Sequence, residues 1–217
     1  DGQGQFSSFD LDAAERIEVL RGPFATLYGN HSGGVVHLFT APGEGAPALS
    51  GGFTVGAWGT RRLRLGTAGA RDGMAWRANL SRLEADGFRR RAAVQRDQGF
   101  ARVDFTATPG RTLTLVANAQ RQPDTEDPQG LAWDTFRRDP RAVESPSRTF
   151  RTRKSVDHAQ AGLLWEERLP AGTLTTRAWA GRRSVVQFLS IPVAAQADER
   201  SGGGVVDFDR DFHGAGA

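Results

Sequence analysis

Glu15-Arg-Ile-Glu-Val-Leu-Arg-Gly-Pro23, followed by Leu27-Tyr-Gly29 and Gly33-Gly-Val35, is the stretch on which the fold turns. Ile17 and Val19 alternate with Glu18 and lead through Leu20-Arg21, the period of a short strand. Gly22-Pro23 stops that strand. Pro23 suits the first residue of a new helical turn, and Gly29 suits its C-terminal cap. Gly33-Gly34 lets backbones approach closely and opens a second strand, Val35-Val36-His37-Leu38-Phe39-Thr40. Upstream, Asp12 and Glu15 have capping-box spacing, which predicts one short helical turn over Asp12-Ala-Ala-Glu-Arg. Residues 1–41 therefore predict a small α+β unit, and Ala41-Pro-Gly-Glu-Gly-Ala-Pro47 has the composition of a linker.

From residue 51 onward the period is two. Phe53 and Val55, Leu63 and Leu65, Trp76, Ala78 and Leu80, Val103 and Phe105, and Leu113 and Leu115 all alternate with polar neighbours. Ala159, Ala161, Leu163 and Trp165 do the same, and longer runs span 173–188 and 204–212. This predicts about eight strands, each with one apolar and one polar face. The connections alternate in length. Ala70–Gly73, Thr108–Arg111 and Leu169–Gly172 are tight turns, whereas 85–97, 122–157 and 189–203 are longer and polar; the connection at Gly59-Thr60 is the short exception. Short turns at one end and long loops at the other is the pattern of a transmembrane β-barrel. A soluble antiparallel sandwich also alternates, and periodicity leaves both open.

Composition narrows the field. The 217 residues are 38% hydrophobic and 24% charged, with 27 glycines, 10 prolines and no cysteine. Without cysteine there is no disulfide framework, thiolate metal site or thiol nucleophile. A mean hydropathy of −0.46 is low for a compact soluble core. A spanning helix needs about 20 mostly apolar residues. Residues 22–43 are interrupted by glycine, proline and histidine, and 184–197 by Pro192. No signal peptide is visible before Asp1-Gly-Gln-Gly-Gln5, and Gly214-Ala-Gly-Ala217 predicts no strand and lacks a terminal aromatic.

The ordered string from Glu15 to Val35, with its Asp1-Gly-Gln-Gly-Gln5 lead-in, resembles the end of the plug domain of TonB-dependent outer-membrane receptors. The resemblance implies an all-β fold: a transmembrane antiparallel β-barrel, partial, with about eight strands of a large plugged barrel, preceded by the C-terminal part of a small α+β plug domain. It implies boundaries at 1–41 for the plug end, 42–50 for a linker and 51–217 for the barrel strands. Glu18, Arg21, Gly22, Pro23, Tyr28, Gly29, Gly33 and Gly34 fall on the plug motif. Glu18 and Arg21 are expected to pair with wall groups such as Arg62, Arg64, Arg77 or Asp104; otherwise they are solvated charges. The complete protein would sit in the outer membrane of a Gram-negative bacterium, in contact with outer-membrane lipid. It would import a scarce large solute, most plausibly a ferric siderophore, using the TonB complex of the inner membrane. The TonB-contacting segment lies upstream in that family. Another ligand (cobalamin, a saccharide or another metal chelate), a truncated gene product without transport, and a soluble β-rich module are the alternatives.

Enzymatic chemistry finds no foothold. His31, His37, His158 and His213 are scattered without metal-ligand spacing, and His37 reads as a polar inward residue of its strand. No nucleophile elbow occurs. Asp207, Asp209 and Asp211 have calcium-loop spacing, but Phe212 stands where the turn glycine is required. They read as one face of a strand, with Phe208, Arg210 and Phe212 on an apolar face and Arg210 near an interface. Arg89-Arg-Arg91 reads as a solvated loop tip, not a nucleic-acid contact. No cofactor and no metal are expected. Residues 123–156 hold six acids, clustered early, and seven bases, clustered late. Trp133, Phe136, Arg148, Arg151 and Arg153 in that loop could attract an anionic, partly aromatic ligand. A self-paired surface loop is the plainer reading.

Overall fold

The computed structural model describes residues 6–22 and 33–217. Pro23, Tyr28 and Gly29, with the helical turn expected there, lie outside the described residues. The N-terminal unit holds two 3-10 turns, Phe6–Ser8 and Leu11–Ala13, and an antiparallel pair, β1 (Ala14–Arg21) and β2 (Gly34–Thr40). The turn expected at Asp12 is shorter than a capping box requires, because Asp10 provides the cap. Its carboxylate accepts from the backbone N–H of Asp12 at 3.1 Å, and the chain is extended again by Ala14. Gly34 has a φ of +128°, and a Cβ there would stand 2.4 Å from the carbonyl oxygen of Leu20. The close approach of β1 and β2 therefore requires glycine at that position.

The remaining strands form one antiparallel meander: β3 (Ala48–Val55), β4 (Arg61–Arg71), β5 (Met74–Ala85), β6 (Val94–Thr108), β7 (Arg111–Glu126), β8 (Arg153–Leu169), β9 (Gly172–Phe188) and β10 (Val205–Gly216). They pair strictly in sequence order, leaving β3 and β10 as edges. β3 begins within the stretch read as linker, and β7 and β8 run further into the long loop than the pattern suggested. β10 continues to Gly216, so the expectation of no strand at 214–217 is corrected. Gly214 and Gly216 hold their register opposite Trp179 and Arg177, and the ladder needs only their backbone. Pro123 sits where the β7–β8 register shifts, a position where a missing N–H costs no ladder bond.

The sheet has two unlike faces. On one, which we call outer, register places Ala78, Ala101, Ala117, Ala161 and Ala180 in a single row. The rows toward the tight turns carry Trp76, Val103, Leu115 and Leu163, then Met74, Phe105, Leu113 and Trp165. Toward the long loops this apolar belt ends in a charged row, Arg82, Asp97, Arg121 and Asp157, with Arg82 held to Asp97 at 2.6 Å. Toward the tight turns it ends at Arg111 and Glu167, 2.7 Å apart. The belt runs obliquely to the ladder. On β3 the residue nearest the long-loop end, Val55, is still apolar, whereas on β10 Asp207, Asp209 and Asp211 occupy the outer face.

Candidate functional site

The other, inner face is polar, and the N-terminal unit lies on it. Asp12 takes Arg62 at 2.7 Å and Arg64 at 3.3 Å, and Asp10 accepts from the amide of Asn79 at 3.1 Å. Three amides of the wall hold the segment before them. Gln98 donates to the carbonyls of Ser7 (2.8 Å) and Phe9 (3.3 Å), Asn118 to the carbonyl of Ser8 (3.4 Å), and Gln120 to the Ser7 hydroxyl (3.3 Å). Gln98 and Gln120 are themselves buried. A carbonyl accepts from an amide whatever side chain it carries, so this part of the contact reads backbone shape.

The end of β2 is fixed by arginine. Arg102 donates to both the carbonyl and the hydroxyl of Thr40, and Arg77 to the carbonyl of Pro42. Arg102 is aimed by a bidentate pair with Asp104 (2.9 and 3.0 Å), and Asp104 in turn accepts from the Thr114 hydroxyl at 2.6 Å. Such a fork–fork pair fixes the guanidinium plane as well as its place. Glu18 and Arg21 do not make the wall contacts expected of them. Glu18 pairs within β1 to Arg16 at 2.9 Å, and Arg21 is exposed. The wall partners Arg62, Arg64 and Arg77 were legible, but Asp10, Asp12, Thr40 and Pro42 meet them instead. The 3-10 turn explains this, because it sets Asp10 and Asp12 against the wall just before β1 begins.

Gly22 ends β1, Gly33 has open space around it and Gly34 is closely approached. His37 lies in β2 with Phe39 beside it, ring centroids 6.0 Å apart. On β10, Arg210 faces inward beside its register partner Arg183 rather than outward at an interface. Phe212 on the same face stacks on His158 at 5.8 Å, whereas Asp209 on the outer face pairs with Arg182. Among the described residues, no cluster of three histidines or carboxylates could hold a metal.

At the far end of the sheet the four long-end connections touch one another. Trp58 meets Phe88 edge to face at 5.2 Å, and Gln129 donates to the Ser190 hydroxyl at 2.7 Å. The third connection carries α1 (Trp133–Arg138) and α2 (Ser145–Phe150). Trp133 and Phe136 stack at 5.6 Å, and both are exposed, Trp133 at 67%. Arg148 and Arg151 are exposed on α2 and its end, but Arg153 is already engaged: it pairs with Asp124 at 3.1 Å and lies 3.6 Å over the Phe188 ring. Thus four of the five loop residues named from sequence are available, and the fifth is built into the sheet. Asp139 lies beside this group, and the backbone N–H of Arg141, followed by the Arg90 guanidinium, holds its carboxyl below the ordinary carboxylate range.

Comparison with known proteins gives this arrangement its place. The family model of the TonB-dependent receptor plug domain matches residues 1–36. The vitamin B12 transporter BtuB of Photobacterium profundum is 36% identical over 115 residues, covering 50% of this chain and 19% of that protein. The fold is similar to that of the siderophore receptor PiuA from Acinetobacter baumannii, with a TM-score of 0.62 at 15% identity over 81% of this chain and 27% of that one. It is also similar to the siderophore receptor PirA from Acinetobacter baumannii, with a TM-score of 0.61 at 16% identity over 97% and 32%. The chain spans about a fifth of the curated relative's length and under a third of these two structures. The matched plug-domain segment thus leads into an open, two-faced meander whose polar face it meets, and that fold is similar to the fold of solved siderophore receptors.

Proposed function

We propose that this chain is the end of the plug (residues 1–41), a short connection (42–50) and the first strands of the barrel (51–217) of an outer-membrane transporter. The transporter carries a scarce large solute across the outer membrane of a Gram-negative bacterium with energy from the TonB complex, and makes or breaks no bond. The observation that carries the reading is the division of the sheet: a bounded apolar belt suited to lipid on the outer face, and a polar inner face that binds the plug end through Asp10, Asp12, Thr40 and Pro42. In this reading Glu18, Arg21, Gly22, Pro23, Tyr28, Gly29, Gly33 and Gly34 shape the plug end that must shift to open a path. Trp133, Phe136, Arg148 and Arg151 face the outside and meet the ligand.

The proposed ligand is a ferric siderophore, because exposed arginines beside a stacked aromatic pair suit an anionic, partly aromatic chelate. A cobalamin is the second reading, favoured by the 36% identity to a vitamin B12 transporter. Uptake of ferric enterobactin and of vitamin B12 should be measured in cells whose own receptors are deleted, with and without TonB. TonB-dependent uptake of the iron complex alone supports the first reading, and of the vitamin alone the second. Charge reversal at Arg148 and Arg151 that left uptake unchanged would remove these residues from the ligand contact.

A further inference from the structure

The run Arg89-Arg-Arg91 is not used by the transport reading, yet none of its three side chains is idle. Arg89 donates from Nη2 to the carbonyls of Pro128 and Ala142 (each 3.0 Å), from Nε to Ala142 (3.2 Å) and from Nη1 to the carbonyl of Gln129. One guanidinium thus ties two separated parts of the third connection together. Arg90 reaches Asp139 at 2.7 Å. Arg91 donates to the carbonyl of Thr152 at 3.2 Å and lies 3.5 Å from the Glu126 carboxylate. The contacts therefore fall at the start, middle and end of the segment that carries α1 and α2.

The segment's far end is locked as well. Ser147 and Thr152 are fully buried, and both hydroxyls donate to the carbonyl of Asp127, at 2.7 and 2.6 Å. We propose that Arg89, Arg90 and Arg91 are positioning residues for ligand capture: they hold the 127–152 segment in one shape, so that Trp133, Phe136, Arg148 and Arg151 are presented ready-arranged. A loop already ordered loses less freedom when a ligand binds. Arg89 cannot be replaced by lysine in this role, because three carbonyls in different directions need a planar fork rather than a point charge. The ligand part of the proposal rests on the outward-facing reading above, whereas the clamp itself does not.

The test compares the wild-type receptor carrying this chain with its Arg89→Ala and Arg89→Lys variants in intact cells. Trypsin cleavage after Arg137, Arg138 and Arg148 is followed by mass spectrometry. Proteolysis follows the population of the opened loop, so cleavage should be about tenfold faster in Arg89→Ala, with little rescue in Arg89→Lys. The concentration for half-maximal uptake of ferric enterobactin or vitamin B12, whichever is transported, should rise about three- to tenfold with the maximal rate unchanged, as expected for lost preorganisation. Unchanged cleavage in Arg89→Ala overturns the clamp. Faster cleavage with unaltered uptake leaves the clamp standing as a structural device and overturns its positioning role, while the ligand contact of the loop is decided separately by the charge reversal at Arg148 and Arg151. Should Arg89→Ala fail to reach the membrane, Arg90→Gln, which removes only the contact to Asp139, should give a smaller rise in cleavage; no rise there counts against the proposal.

Discussion

Gly43 is buried where the connection from the plug end crosses the sheet, and a Cβ on it would lie 2.1 Å from the carbonyl oxygen of Trp76 and 2.4 Å from that of Gly69. Both obstacles are backbone, so no rotamer relieves them. Gly43→Ala should cost about 1–3 kcal/mol, read as a lower unfolding midpoint of the detergent-solubilised receptor. Asp139 makes a second prediction, with a definite sign. Its folded carboxyl titrates below the ordinary range, so its bonds to Arg141 and Arg90 contribute fully above about pH 4 and are lost only as pH falls through the lowered value. Loop opening, followed by hydrogen exchange corrected for the intrinsic pH dependence of exchange, should therefore be the same at about pH 7.5 and 5 and rise only in stronger acid, while Asp139→Asn should loosen the loop already at neutral pH. Little of this was readable beforehand. A run of three arginines has the same sequence whether it meets water or the carbonyls of another loop, and which loop lies opposite is decided by the barrel's order of strands. The wall arginines at 62, 64 and 77 could be named because alternation alone sets their face; their partners could not, because Asp10 caps, and Asp12 lies in, a 3-10 turn that carries no period.

At the scale of elements the outer belt makes the sharpest claim. Leu115 lies on the outer face within the belt, whereas Ser184 stands in the charged row between Asp157 and Asp209. If the belt meets lipid, arginine is costly at the first position and nearly neutral at the second. Leu115→Arg should lose about 2–4 kcal/mol and Ser184→Arg about 0–1, measured by reversible folding of the receptor into bilayers. Equal effects at the two sites would mean that this face is not graded by membrane depth. The strands, the alternation of short and long connections and, on every strand but β10, the faces were legible, because a period of two and turn glycines are local properties; on β10 the aspartates took the outer face and Arg210 and Phe212 turned inward, the reverse of the expectation. The ends of the strands were not legible. β7 and β8 extend beyond the expected limits because neighbouring strands, Gln122 opposite Val156 and Thr125 opposite Lys154, supply ladder partners to polar segments that carry no hydrophobic period of their own.

For the molecule as a whole, the decisive feature is that its sheet does not close. Among the described residues β3 and β10 are the edges, and each has one row of N–H and C=O groups that no other strand meets. In water such an edge recruits other chains, and in hydrocarbon unpaired backbone groups cost several kcal/mol each. The outer belt adds to the difficulty, since Leu65 and Leu80 are more than half exposed on it. Closing on itself offers no escape: an eight-stranded barrel is about wide enough for its own side chains, and the inner face already carries residues 7–12, Thr40 and Pro42. The 217 residues expressed without further strands should therefore aggregate or fail to insert stably into detergent micelles or vesicles. Gel migration with and without heating checks this, because a closed barrel resists denaturation when unheated and shifts on boiling. A heat-modifiable band from these residues alone would show that the two edges can meet and that the inner unit can be displaced. Its absence, together with recovery of such a band when the strands that pair with β3 and β10 are supplied on the same chain, would place the missing stability in those two edges.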